Sequence, residues 1–229
     1  MTCRSLLRVL LPGVMLVLGG CARQPEGGIA AASSAADRAA AASAEAHAHS
    51  DADLERAKTA AQAFSGRLRG RLQAAMAEGG PVAAVEVCHA EAPAIGEAVM
   101  AEHGVRLGRV ALPGRNRHPA QAADDWRLAP LLAFQQAVEG GAAAGEQVFV
   151  QRDGLPPGVS LRIMRGIATE PGCLACHGAN VAADVRAAIA RHYPGDAATG
   201  FAPGDLRGAL WVEVPRDDAT LSGRQENAP

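Results

Sequence analysis

One run of five residues combines types that can do covalent and metal chemistry together: Cys173-Leu174-Ala175-Cys176-His177. Its two thiols are spaced about one helical turn apart, and an imidazole directly follows the second. Such a pair can add across the two vinyl groups of a haem, and the adjoining His is then held beneath the iron as an axial ligand. Five Cys and seven His in 229 residues would give this pattern by chance only about 0.003 times. Two rival chemistries use the same side chains. A redox dithiol wants its Cys-x-x-Cys after a strand of a βαβ unit, whereas here Glu170-Pro171-Gly172 precedes the motif and Gly178 follows it. A structural zinc needs a further ligand beside Cys173, Cys176 and His177, and Cys88 is available for that. A plain disulfide explains neither the His nor the tight spacing. The favoured reading is one covalently bound haem c.

The other cysteines sort by position. Arg4 and Arg8 form a positive n-region, and Leu6 to Leu18 is apolar but too short to span a bilayer. Leu18-Gly19-Gly20-Cys21 looks like a bacterial lipobox, so residues 1–20 are expected to be a lipoprotein signal peptide, with cleavage before Cys21 and lipidation of its thiol. A lipid there holds the chain at a membrane without a spanning helix. Ala22, not an Asp, follows the Cys, which points to the periplasmic face of the outer membrane. That agrees with the haem reading, because c-type haem is attached outside the bacterial cytoplasm.

Cys3 leaves with the signal, so Cys88 is the one thiol without an assignment. It is either a small buried hydrophobe on its helix's apolar stripe or the second axial ligand of the iron. His89, His103, His118, His192, Met76, Met100 and Met164 compete for that position. His89 adjoins Cys88 but points about 100° away on a helix. Arg162 and Arg165, close to the motif in sequence, either neutralise a haem propionate or are solvated strand residues.

These residues must be carried by something. The net charge is −2 with mixed signs, which suggests no nucleic-acid partner. Aromatics are only 3% of residues, so a large flat cofactor would add buried area that the side chains lack. Residues 21–52 are rich in Ala, Ser and Gly without an apolar face and read as a flexible tether, with His47 and His49 solvated inside it. The domain proper is expected over 53–216. Leu54, Ala57, Ala61, Phe64, Leu68, Leu72 and Met76 recur at three and four, predicting a long helix from Asp53 to Glu78 that Gly79-Gly80-Pro81 stops. Gly66 and Gly70 within it predict close approach of another helix, and hence a homodimer.

A second helix carries Val85 to Val99, kinked or restarted at Pro93, and Arg106 to His118 reads as a basic loop. Asp124 is the expected N-cap of a helix through Val138. Gln147–Gln151, Leu161–Ala168 and Leu210–Val214 read as strands, with a helix from Val181 to His192. The tail, 217–229, is polar. The fold class is α+β with an antiparallel sheet.

Several stretches, taken in order, resemble a family of single-haem c-type domains with a PAS-like fold, found alone in cyanobacteria and proteobacteria and fused to signalling modules. They are Val87-Cys88-His89 with Ala92-Pro93-Ala94-Ile95, Arg115-Asn116, Trp126 with Leu128 to Phe134, and Leu161 to Arg165. After these come Cys173 to Gly178, Tyr193 to Gly200, and Gly204 to Ala209. The chain departs from that pattern at Arg127, where an acidic residue is expected. The resemblance implies a PAS-like sheet with flanking helices and makes Cys88 the axial ligand opposite His177. With both positions filled, the expected role is a redox or ligand sensor, not an enzyme. An electron-transfer carrier with a redox partner protein and a haem enzyme with an exchangeable ligand are the alternatives.

Overall fold

The structure, a computed structural model, describes residues 27–216. The expected signal peptide, the lipidated Cys21 and the polar tail lie outside the described residues. The chain divides into two compact units, Met1–Ala44 and Glu45–Pro229. In the first, every described residue from Gly27 on is helical.

The first helix, α1, is Gly27–Glu86. The segment expected to be a tether is therefore helical from Gly27, because its many alanines have the highest helix propensity and need no apolar face to express it. No helix of the described residues is long and apolar enough to cross a membrane. Within the second unit the predicted stripe holds: Ala57, Phe64 and Leu68 are buried, joined by Ala60. Further along, Ala75 takes the core position and Met76 is exposed. Gly80 breaks the helical path with φ 70° and ψ −164°, and Pro81 restarts it.

A π-helical turn, Val87–Glu91, follows and carries Cys88 and His89. It is tied to α1 by a two-pronged ion pair, with Arg71 Nε and Nη2 donating to the Glu91 carboxylate at 2.6 and 2.7 Å. Helix α2 (Ala92–His103) has Pro93 in its first turn and ends on Gly104, which is left-handed at φ 60°.

Strand β1, Arg106–Val110, occupies the start of what reads as a basic loop. Its charges masked it: only Leu107 and Val110 are buried, and on this edge strand Arg106 pairs with Glu213 while Arg109 lies half-buried between them. Helix α3 is Leu128–Glu139, and Arg127, not Asp124, holds its N-cap position. The aspartate that matters is Asp125, whose carboxylate accepts from the Arg127 backbone N–H at 3.0 Å.

Strands β2 (Val148–Gln151) and β3 (Val159–Ala168) precede the single-turn α4 (Leu174–His177) and helix α5 (Ala183–His192). Strand β4 (Leu206–Pro215) closes the sheet, ordered β1-β4-β3-β2 and antiparallel throughout. The α+β class with an antiparallel sheet is as expected.

Alternation along β4 divides the core. Leu210, Val212 and Val214 pack with Leu161, Ile163 and the stripe of α1. Ala209 and Trp211 face the other way, toward Leu131 and Phe134 of α3. A smaller cluster joins Val85 of α1 to Val185, Ala188 and Ile189 of α5. The π-turn and α5 are thereby brought to the same end of the sheet.

Candidate functional site

The Cys-x-x-Cys-His run forms a 3-10 turn, Pro171–Cys173, leading into the one turn of α4, so Cys173 and Cys176 lie three residues apart on one helical face. Cys88, Cys173 and Cys176 are all free thiols and half-buried. Burial pushes the Cys176 thiol above its ordinary value, Arg117 pulls it back, and the nearby Cys88 and Cys173 add to the upward push.

His177 is the best-supported side chain of the motif. Its Nδ1 lies 2.7 Å from the Ala198 carbonyl, which fixes the tautomer with the proton on Nδ1 and leaves a lone pair on Nε2. Arg207 Nε and Arg117 Nη2 also approach Nδ1, at 3.2 and 3.3 Å, but a nitrogen that already carries hydrogen cannot accept from them. The shorter contact decides the tautomer. Burial, with Arg207 and Arg117 beside it, holds the imidazole well below its usual range and hence neutral, the form that can bind a metal.

The surroundings of His177 are built from distant segments. Arg117, only 6% exposed, donates to Asp196 Oδ1 at 3.1 Å and to the Cys176 carbonyl at 2.6 Å. Asp196 Oδ1 in turn accepts from the Ala198 N–H at 2.9 Å, so one carboxylate holds the residue whose carbonyl holds the imidazole. The backbone is pinned as well: Phe201 N–H donates to the His177 carbonyl at 3.0 Å and Gly200 N–H to the Gly178 carbonyl at 3.1 Å.

His177 opens on a small cleft of about 40 Å³, lined also by Cys88, Arg109, Arg117, Gln121, Tyr193 and Arg207. Three guanidiniums and no carboxylate line it among the described residues. The excess shows on Arg207, whose value drops to about 10, first through burial and then through repulsion by Arg109 and Arg117. Such a wall calls for anionic groups on whatever enters. Burial holds the Tyr193 phenol above its ordinary value, so it stays neutral.

Of the axial candidates read from sequence, Cys88 alone shares this cleft with His177. His89 stacks on His192, ring centroids 4.2 Å apart, and His192 Nε2 is engaged by Glu86 at 2.8 Å. Met164 is fully buried in the core and Met76 is exposed on α1. His118 Nδ1 accepts from the Ala120 N–H.

Arg162 and Arg165 are not cleft residues, contrary to the propionate role weighed for them. Arg162 faces Glu213 across the β3–β4 ladder and donates to it at 2.8 Å, while Arg165 is exposed and donates to the Gly145 carbonyl. The cations that do line the cleft, Arg109, Arg117 and Arg207, were not singled out by the sequence. Their signal lay in the basic Arg106–His118 stretch and in the Gly204–Ala209 stretch, which converge here.

The rival chemistries lose support on geometry. Among the described residues no group of three or more His, Cys, Asp and Glu side chains converges on a point for a bare metal ion. The sheet pairs only antiparallel strands, so the βαβ setting of a redox dithiol is not what carries the motif.

Residues 30–215 match the Tll0287-like family, described as Tll0287. Among solved structures the chain is similar to the crystal structure of the cyanobacterial heme-protein Tll0287, with 30% identity over 55% of this chain and 71% of that one and a TM-score of 0.40. No curated protein matches the chain.

Proposed function

The chain belongs to the Tll0287-like family, and we propose that it is a single-haem c-type module with His177 and Cys88 as axial ligands, exported and lipid-anchored through Cys21. One observation carries the reading: His177 and Cys88 line a single cleft whose other charged walls are three arginines. An imidazole nitrogen, a sulfur and three guanidiniums, of which Arg117 is paired with Asp196, suit an iron macrocycle that bears carboxylates.

Cys173 and Cys176 would hold the haem through thioethers, His177 Nε2 and Cys88 Sγ its iron, and Arg109, Arg117 and Arg207 its propionates. When bound, the haem supplies a one-electron couple, which sulfur ligation sets at low potential. The rest is work of the chain. The Ala198 carbonyl orients His177, Asp196 and Arg117 hold that carbonyl in place, and the Tyr193 phenol stays protonated at the cleft wall. With both axial positions taken by the protein the role is sensing rather than catalysis. Cys88, on a π-turn, is the ligand that gives way to a gas or to a change of redox state. The export and anchoring rest on Leu18-Gly19-Gly20-Cys21.

The test is spectroscopic. Haem staining of the denatured chain should persist in the wild type and vanish in Cys173→Ala/Cys176→Ala. The ferric protein should give a low-spin spectrum with sulfur ligation that Cys88→Ala converts to another form. An unchanged spectrum in Cys88→Ala removes it as ligand, and a reduced form indifferent to CO and NO removes gas sensing.

A further inference from the structure

Strand β2 is an edge strand, paired with β3 on one side only. It is poorly guarded. Edge strands are usually protected by charge, proline or a bulge, yet β2 reads Val148-Phe149-Val150-Gln151 and pairs with β3 without a register shift. Val148 and Val150 are 60% and 40% exposed, the two most exposed valines among the large hydrophobics of the described residues.

The parity of the ladder says which backbone groups are free. The Gly166 N–H donates to the Gln147 carbonyl at 2.9 Å, and by the register Gln147 stands directly opposite Gly166. That pair is of the hydrogen-bonded type, so Phe149 and Gln151 also turn their N–H and C=O groups toward β3. Val148 and Val150 therefore turn theirs to the outer edge.

The sequence here is its own mirror: Gln147-Val148-Phe149-Val150-Gln151, flanked by Glu146 and Arg152. An antiparallel two-fold axis through Phe149 sets Val148 of one copy against Val150 of the other. These are the residues with outward hydrogen-bonding groups, so both pairs are of the hydrogen-bonded type and Phe149 meets its counterpart at a non-hydrogen-bonded position. The match is confined to the strand, since Glu146 ends a 3-10 turn and Arg152 reaches Asp51 and Ser50 of α1. A one-residue shift breaks the amide parity, and a two-residue shift keeps the parity but loses the Val148–Val150 pairs.

We propose that β2 is a homotypic docking edge, where a second copy of this chain pairs antiparallel about Phe149 and joins the two sheets into one. The occupant is a second copy because the self-complementarity is isologous: one patch serves both sides of a two-fold contact. The proposal does not depend on the haem.

The test uses the intact chain in membranes of the producing bacterium. Two differently tagged chains, Gln147→Cys and Gln151→Cys, are co-expressed and oxidised. In this register positions 147 and 151 of opposite copies face each other at a non-hydrogen-bonded position, with Cα atoms about 4.5 Å apart, near disulfide reach. The same position in the two copies is about 13 Å apart along the strand. Co-expression should give a mixed disulfide dimer absent from wild type, and each variant alone should not. Val150→Pro, which removes an outward N–H that β3 does not use, should cut the mixed cross-link about tenfold. No mixed cross-link, an equal cross-link in either variant alone, or a yield indifferent to Val150→Pro overturns the proposal.

Discussion

Replacing Arg117 by alanine tests the architecture of the His177 support directly. The side chains of Arg117 and Asp196 are 6% and 9% exposed, so this is a buried pair. Removing the guanidinium leaves the Asp196 carboxylate without its cation and the Cys176 carbonyl without its 2.6 Å donor. Breaking a buried pair from one side costs about 3–5 kcal/mol, because the remaining charge stays desolvated. For a chain of this size each kcal/mol lowers the melting temperature by about 2–4 °C, so the expected drop is roughly 6–20 °C. Arg117→Lys keeps the charge but loses the fork and should fall between. Asp196→Asn keeps an oxygen for the Ala198 N–H, and combining it with Arg117→Ala should recover part of the loss. The assay is thermal unfolding followed by circular dichroism on the purified protein, with all four variants in one buffer. An Arg117→Ala protein melting within about 2 °C of wild type would falsify the assignment of Arg117 as the buried clamp.

Gly166→Ala and Gly208→Ala should each destabilise by more than about 2 kcal/mol in urea titrations, since the new Cβ would lie 2.1 Å from the Ala144 carbonyl oxygen or 2.3 Å from that of Val110. Gly66→Ala and Gly70→Ala meet nothing within 4 Å and should stabilise by about 0.5–1 kcal/mol; a loss of stability or of association there would instead reveal a partner packed on those glycines. The hydrogen bond from Arg71, and then its charge, hold the Glu91 carboxyl below its ordinary value. A depressed folded-state value means stability that is complete above the unfolded carboxylate range near 4.3 and is lost as pH falls through the folded value. Arg71→Met should therefore flatten the acid limb of the stability–pH curve, and an unchanged limb counts against the pair. Arg162→Ala should leave the haem spectrum and potential alone, because its partner is Glu213, while Arg207→Gln should lower the potential by removing a cation that disfavours the ferric charge. Voltammetry on both variants reads this, and a reversed pattern would return Arg162 to the site.

What could be read in advance was what contiguous residues write. Cys173 to His177 place two thiols one turn apart beside an imidazole within five positions, and the α1 stripe and the alternation of Leu210, Val212 and Val214 encode which face is buried. The support of His177 is different in kind. Arg117 and Asp196 are 79 residues apart, and the atom that fixes the imidazole is a backbone carbonyl, which no residue type announces. Strand β1 was hidden because an edge strand needs apolar side chains on little of its surface, and its arginines resemble a loop. Arg162 shows the limit of reasoning from sequence proximity. Near the motif along the chain, it is claimed by Glu213, which the β3–β4 register sets directly opposite.

The two sides of the cleft are built with unequal stiffness, and this bears on which side can move. His177 is held through its ring, through its own carbonyl and through the carbonyl before it, each by a separate partner. Cys88 has no such shell. Its turn is π-helical, with wider hydrogen-bonded rings than the α-helices on either side, and is fixed by the buried Val87 before Cys88 and by the part-exposed Arg71–Glu91 pair three residues on. A wide turn between two regular helices can pass its extra residue along by exchanging neighbouring hydrogen bonds, whereas moving His177 means breaking a buried ion pair and a strand-end bridge together. On the His177/Cys88 ligation proposed above, the cost of rearrangement assigns any movement to Cys88. Arg71→Met, which loosens the turn without touching the cleft, should speed ligand capture, while Arg117→Lys should not.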